Sequence, residues 1–384
     1  MNKKDIQAQI ADLFNEMATG LETGSFGKKP RIVVTGLGSE HGEDNVLAGC
    51  RAGAASGIDV IYLGSKSVEG VETIEVATDD EQFAVMEELL STKQADGAVA
   101  MHYPFPIGVA TVGRVLAPAT GKPLYLATTT GTAATDRVDA MVKNAIAGVI
   151  AAKACGIAKP TVGILNIDGA RQAEIVLNKL RDSGYSIEYA TSGRADGGAV
   201  MRGNDVLRGT PDVMVMDSLT GNVLTKMMSA QSSGGSIETS GDGYGPGLGA
   251  GYKNLVLIVS RASGVPVIAG AIKFAAELVK GNVFGIADAE YEAAERAGLT
   301  QALEGRKKTP SAAAAEAEVK APPKEVVTHE LAGIEVMDLE DAVAALWKQN
   351  IYAESGMGCT GPIIRISEER ADEAEAVLKN AGYR

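Results

Sequence analysis

One stretch of the chain sets a strong nucleophile among residues that leave the backbone bare. Between Tyr352 and Ile364 a single cysteine, Cys359, lies between Gly358 and Thr360, with Gly356 and Gly361 close by and Pro362 closing the run. Glycines let a substrate approach the main chain and let successive N–H groups point into one concavity. A thiolate is the strongest nucleophile a side chain offers near neutral pH, so an exposed Cys359 could hold an acyl group as a thioester. Amides of Gly358, Thr360 and Gly361 could then stabilise the oxyanion. The other reading is a small core residue in a tight turn, the usual fate of free cysteine.

A second stretch offers anion chemistry. Val213 to Met216 reads as a strand, Asp217 to Asn222 as a loop, and Val223 as the opening of a helix that carries Lys226. Thr220, Gly221 and Asn222 fall where free amides and the helix dipole favour an anion, and Lys226 adds a point charge one turn on. Other polar groups sit at expected strand ends. They are His102, the threonines from Thr128 to Thr132, and Asn166 with Asp168. Each could equally be a helix cap. The loop Gly36 to Gly42 follows a strand, but its spacing is G-x-G-x-x-x-G, and no acidic residue ends the next strand to hold a ribose. His41 among Glu40, Glu43 and Asp44 is either a metal cluster or a solvated charged loop, the latter preferred; no metal is expected. Gly241 to Gly251 reads as a flexible lid or as backbone pressed against a ligand.

Composition narrows the classes. A net charge of −13 argues against nucleic acid or an anionic membrane as partner. The three cysteines, Cys50, Cys155 and Cys359, are far apart, and no C-x-x-C occurs, which supports neither a zinc knuckle nor a disulfide framework. Cys50 and Cys155, among small residues, read as core. No apolar signal region or membrane-length run is present, and a cytoplasmic location is expected. No G-x-S-x-G supports serine hydrolysis.

These groups need a scaffold. Short apolar strands at 31–35, 59–63, 97–102, 122–128, 161–166, 213–216 and 255–259 alternate with helices, a pattern that predicts a doubly wound, mostly parallel sheet with a central cleft at the strands' carboxyl ends. Residues 1–29 hold an amphipathic helix with Ile6, Ile10, Leu13, Phe14, Met17 and Leu21 on one face. Residues 30–302 form the main domain and 303–324 an Ala/Pro-rich charged linker. Residues 325–384 form a small α/β appendage, with a strand at 334–337, a helix from Asp338, the Cys359 loop, a strand at 363–366 and a last helix.

Two family resemblances follow from these residues. The segment Asp217 to Lys226 resembles the D-G-F-T-G-N-V-x-x-K segment of bacterial phosphate acyltransferases, with Ser218 and Leu219 in place of Gly-Phe. Val162 to Asp168 is similar to their V-x-L-L-N-I-G strand and loop. That likeness covers roughly residues 30–300. It implies acyl transfer between a thioester and inorganic phosphate, with Asp217, Thr220, Gly221, Asn222 and Lys226 near the phosphate. With the tail and its Gly-Met-Gly-Cys-Thr-Gly-Pro run added, the whole chain resembles the alpha subunits of protein C of glycine/sarcosine/betaine reductase complexes. That resemblance implies a beta subunit and selenoprotein A as partners. It also implies acetyl phosphate as product, no bound cofactor, and an acetyl thioester on a cysteine, here Cys359. A group that activates the thiol must come from elsewhere, with His41, His102 and His329 as candidates. The alternatives are a phosphate acyltransferase acting on an acyl carrier thioester and a non-catalytic scaffold subunit.

Overall fold

A computed structural model of the chain describes residues 29–193, 197–307, 319–334, 338–358 and 361–383, together with Phe14, Met17 and Ala18. Most of the expected N-terminal helix therefore lies outside the described residues.

The main body opens with β1 (Arg31–Thr35), α1 (Gly42–Ala54), β2 (Asp59–Gly64), β3 (Glu72–Glu75), α2 (Asp79–Ser91) and β4 (Gly97–Ala100). A hairpin of β5 (Val109–Leu116) and β6 (Pro123–Thr132) follows, then α3 (Arg137–Ala154), β7 (Thr161–Leu165) and α4 (Ala170–Asp182). Next come β8 (Glu188–Tyr189), β9 (Val200–Met201), α5 (Gly203–Arg208), β10 (Val213–Val215) and α6 (Ser218–Ala230). The body closes with β11 (Gly245–Leu248), β12 (Val256–Ile258), α7 (Val265–Lys280), α8 (Val283–Arg296) and α9 (Leu299–Lys307). Helices cover both faces of one sheet of order β3-β2-β1-β4-β12-β11-β5-β6-β10-β7-β8, with β9 also paired to β7. Ile32, Val33 and Val34 of β1 are all buried, as a parallel strand covered on both faces requires.

The sheet is two parallel halves of opposite sense. One holds β3, β2, β1, β4 and β12. The other holds β6, β10, β7, β8 and β9. Antiparallel β11 and β5 join them. Pairings carry one row across the join: Ala100 beside Ile258, Ile258 beside Gly245, Val112 beside Ala127, and Ala127 beside Val215. Gly245 bridges the gap in that row, because a Cβ there would lie 1.7 Å from the Val112 carbonyl oxygen. The carboxyl ends of β4, β12 and β10 thus converge on one level from opposite sides, and that convergence makes the cleft.

Three sequence expectations change here. The middle of Gly241 to Gly251 is not a flexible lid. It contains β11, whose residues are buried and whose glycines press on protein backbone and on Phe105. The Thr128–Thr132 cluster is not a loop after a parallel strand. It is the second half of β6, with Thr128 and Thr129 buried against β5. Composition also hid α9, which runs through residues read as linker: Leu303 is buried, and Arg306 bonds Asp136 and Asp139.

The appendage contains β13 (His329–Ala332), α10 (Leu339–Lys348), β14 (Ala353–Gly358), β15 (Gly361–Ile366) and α11 (Ala371–Asn380). Its sheet runs β13-β15-β14, and its core of Leu331, Leu346, Ile364, Ile366 and Leu378 with their neighbours is separate from the main one. The expected strand moves: it is His329–Ala332 rather than 334–337, Ile334 packs in the small core, and 335–337 lie outside the described residues. Much of the stretch read as a glycine loop is an antiparallel strand pair, β14 with β15, joined out to Gly358 beside Gly361. Cys359 and Thr360 lie outside the described residues.

Candidate active site

The cleft at the meeting of the two halves has a volume of about 410 Å3. Glu40 comes from the loop after β1, and Met101, His102 and Tyr103 from the loop after β4. Thr130 of β6 and Asn222 and Lys226 of α6 form the facing wall. Tyr244 and the run Ile258 to Arg261 lie between them. Among the described residues Arg261 has no carboxylate within ion-pair distance, so its charge faces the cleft unspent on a close pair.

Helix α6 is positioned by two residues. Asp217 is its N-cap: one carboxylate oxygen accepts the Thr220 N–H at 2.9 Å and the other accepts the Thr220 hydroxyl at 2.9 Å. Both donors of Thr220 therefore face Asp217. Gly221 lies flat on β6, where a Cβ would come within 1.8 Å of the Thr128 carbonyl oxygen. That close approach brings the Asn222 amide to the Thr129 carbonyl at 3.2 Å and turns Lys226 into the cleft. Of the five residues read as an anion site, Asn222 and Lys226 line the cleft, whereas Asp217, Thr220 and Gly221 build the helix start that aims them.

Lys226 Nζ stands 4.0 Å from Glu238 Oε1 and 5.6 Å from the centre of the Tyr244 ring. Glu238 is buried, and its oxygens accept the Tyr244 hydroxyl at 2.9 Å and the Ser263 hydroxyl at 2.7 Å. Burial, then the Glu238 charge, pushes the Tyr244 phenol well above its ordinary range, so it stays a donor. The Thr129 hydroxyl donates to the Tyr244 carbonyl at 2.6 Å and ties this wall to β6. Thr130 belongs to the threonine cluster read at a strand end, whereas sequence reading missed the side chains of Glu238, Tyr244 and Arg261. Only Arg261 had a usable signal, as a cation just beyond an apolar strand.

The other residues singled out in the sequence lie as follows. Gly36 gives way to the Tyr62 ring, whose hydroxyl donates to Glu43 at 2.6 Å, so protein fills the space beside the first glycine of the loop after β1. Among the described residues no cluster of histidine, cysteine and acidic side chains could hold a metal ion. Asp168 pairs with Arg137 at 2.9 Å on the surface. His102 reaches the cleft, edge-on to Phe83, whereas His41 is exposed at the start of α1 and His329 lies in β13. Burial pushes the Cys50 thiol up to about 12 and the Cys155 thiol up to about 11, so neither is a nucleophile near neutral pH.

A mixed α/β body whose opposed strand ends enclose a polar cleft lined by Lys226 and Arg261 defines a doubly wound protein. The chain belongs to the fatty acid synthesis protein family, whose model matches residues 30–365. Within it, the resemblance to component C alpha subunits runs nearly end to end. The chain is 54% identical over 380 residues, 98% of its length and 99% of the relative's, to the glycine/sarcosine/betaine reductase complex component C subunit alpha of Peptoclostridium acidaminophilum. It is 36% identical over 78 residues, 19% of this chain and 20% of the other, to a phosphate acyltransferase of Phenylobacterium zucineum (strain HLK1). A crystal structure of a branched-chain phosphotransacylase from Enterococcus faecalis V583 superposes with a TM-score of 0.47 at 15% identity, covering 65% of this chain and 98% of that one. No helix among the described residues is long and apolar enough to cross a membrane.

Proposed function

We propose that the protein is the acyl-transfer subunit of a glycine/sarcosine/betaine reductase complex and releases a two-carbon unit as acetyl phosphate. Its partners on this reading are the component C beta subunit and the selenoprotein A carrier, and its small substrate is inorganic phosphate, with no bound cofactor. The observation that carries the reading is the near full-length similarity to a component C alpha subunit, which includes the Cys359 segment. The cationic cleft supports it.

The chemistry balances as follows. The carrier presents a carboxymethyl group as a selenoether, with a thiol beside the selenium. Cys359 forms the C–S bond at the carboxyl carbon, and water leaves. The carrier thiol attacks selenium, the Se–C bond breaks, and the methylene carbon takes a proton to become methyl. Carbon is reduced, and the carrier is oxidised to a selenium–sulfur bond. A phosphate oxygen then attacks the thioester carbonyl, the C–S bond breaks, and the thiolate of Cys359 leaves with the phosphate proton. Lys226, Arg261 and Asn222 hold the phosphate, and Gly358, Thr360 and Gly361 offer amides to the oxyanion. His102 is the histidine at the cleft and the best candidate to activate the thiol.

Run in reverse, the last step tests the reading. Incubation with acetyl phosphate should add one acetyl group to the peptide holding Cys359, and Cys359→Ala should abolish it. Phosphorolysis that survives Cys359→Ala would instead favour direct transfer from an acyl carrier thioester, as the phosphate acyltransferase similarity would suggest. A chain that neither labels nor turns over would be a scaffold.

A further inference from the structure

Glu238 is a buried carboxylate that nothing in the chemistry above uses. Its backbone is fixed: its N–H donates to the Ala262 carbonyl at 3.0 Å, and its carbonyl accepts the Gly264 N–H at 2.8 Å. Its two side-chain oxygens are fixed by Tyr244 and Ser263. Among the described residues Lys226 is the one cation within ion-pair distance. The pair is lopsided, with side-chain exposures of 4% for Glu238 and 55% for Lys226. An immobile charge thus faces a long stem with several rotatable bonds, which loses conformational freedom only where something holds its end. A buried carboxylate without a cation is costly, so the attraction persists on the carboxylate's side as well.

We propose that Glu238 is a positioning residue for Lys226: it holds the ammonium at the Tyr244 side of the cleft, where the oxyanion of phosphate is bound. The role rests on the phosphate reading of the cleft. Glu238 touches no substrate and acts through Lys226 alone. Direct repulsion of phosphate by the carboxylate would act in the opposite direction, so the sign of the effect distinguishes the two.

The test is a double-mutant cycle read by calorimetric titration of inorganic phosphate into the full-length chain. Glu238→Gln keeps the shape and removes the charge, with one hydroxyl still donating to the amide oxygen and the other turned to accept from the amide N–H, and it should weaken phosphate binding about fivefold, the upper range for a partly exposed pair. Lys226→Met should weaken it more. Adding Glu238→Gln to Lys226→Met should change affinity less than about twofold, because nothing remains to position. An unchanged or tighter affinity in Glu238→Gln overturns the proposal, as does an equal loss with and without Lys226. Should Lys226→Met itself leave affinity unchanged, the phosphate reading falls with it. If Glu238→Gln does not fold, Ser263→Ala frees one carboxylate oxygen while keeping the charge. It should then give a smaller loss of about twofold that again vanishes without Lys226; a loss that persists there overturns the proposal.

Discussion

Asp205 illustrates how a single residue can be structural while looking like a site. It is buried, and its oxygens accept the Ser192 hydroxyl at 2.8 Å, the Gly193 N–H at 3.0 Å, the Arg202 N–H at 3.1 Å and the Thr210 hydroxyl at 3.1 Å. Burial works against its charge, but these donors hold its carboxyl below the ordinary 3.8. Asp205→Ala leaves several buried donors unmet and should destabilise the protein by about 2 to 4 kcal/mol in denaturant titration. Phosphate binding should be unchanged in the folded fraction. An equally large loss of phosphate affinity would show that this knot supports the cleft.

At the scale of the element, α6 decides the geometry of the cleft wall. Its approach to β6 depends on the absence of a side chain at Gly221. A methyl there meets a backbone oxygen that cannot rotate away, so Gly221→Ala must lift the helix. We expect a loss of about 1 to 3 kcal/mol in stability, together with weaker phosphate binding as Asn222 and Lys226 move out. Unchanged affinity with normal stability would mean that the helix is not seated as described. The same scale explains what sequence reading could and could not see. The strand Val213–Val215 and the cation at Lys226 were legible, because apolar runs and residue chemistry are local; the cap was not, because Asp217 to Asn222 read as a loop before a helix from Val223, whereas the helix opens at Ser218 with Asp217 as its cap. The identity of β11 was not, because an array of glycines reads as a loop. Only the neighbouring backbones of β5 and β12 make it a buried strand.

At the scale of the molecule, two cores are separate. Leu346 is fully buried in the small one. Leu346→Ala should cost that unit about 2 to 5 kcal/mol and leave phosphate affinity at the main cleft intact, as separate calorimetric and binding measurements would show. A parallel loss of both would mean that the units fold as one. Acid provides a second global test. Asp205 and Asp212 both have folded carboxyls held below the ordinary 3.8. For Asp212, burial is outweighed by the Thr161 amide and hydroxyl and by Lys122. A depressed folded pKa contributes stability that is fully present above the unfolded value and is lost as pH falls through the folded one. The stability of the main body should therefore hold at mildly acidic pH and drop below about pH 3.8. Asp212→Asn should flatten that drop, and an unaltered acid profile would count against these contacts.

The sequence by itself determined the class of fold, the appendage that carries Cys359 and the cation at Lys226, because periodicity and residue chemistry act over a few neighbours. Tertiary structure alone decided that two parallel halves meet carboxyl end to carboxyl end. It also decided that Glu238, Tyr244 and Arg261 join Lys226 there. Those residues come from segments whose spacing in the chain says nothing of their spacing in space, and strand direction across the join is set by long-range pairing that no local pattern encodes.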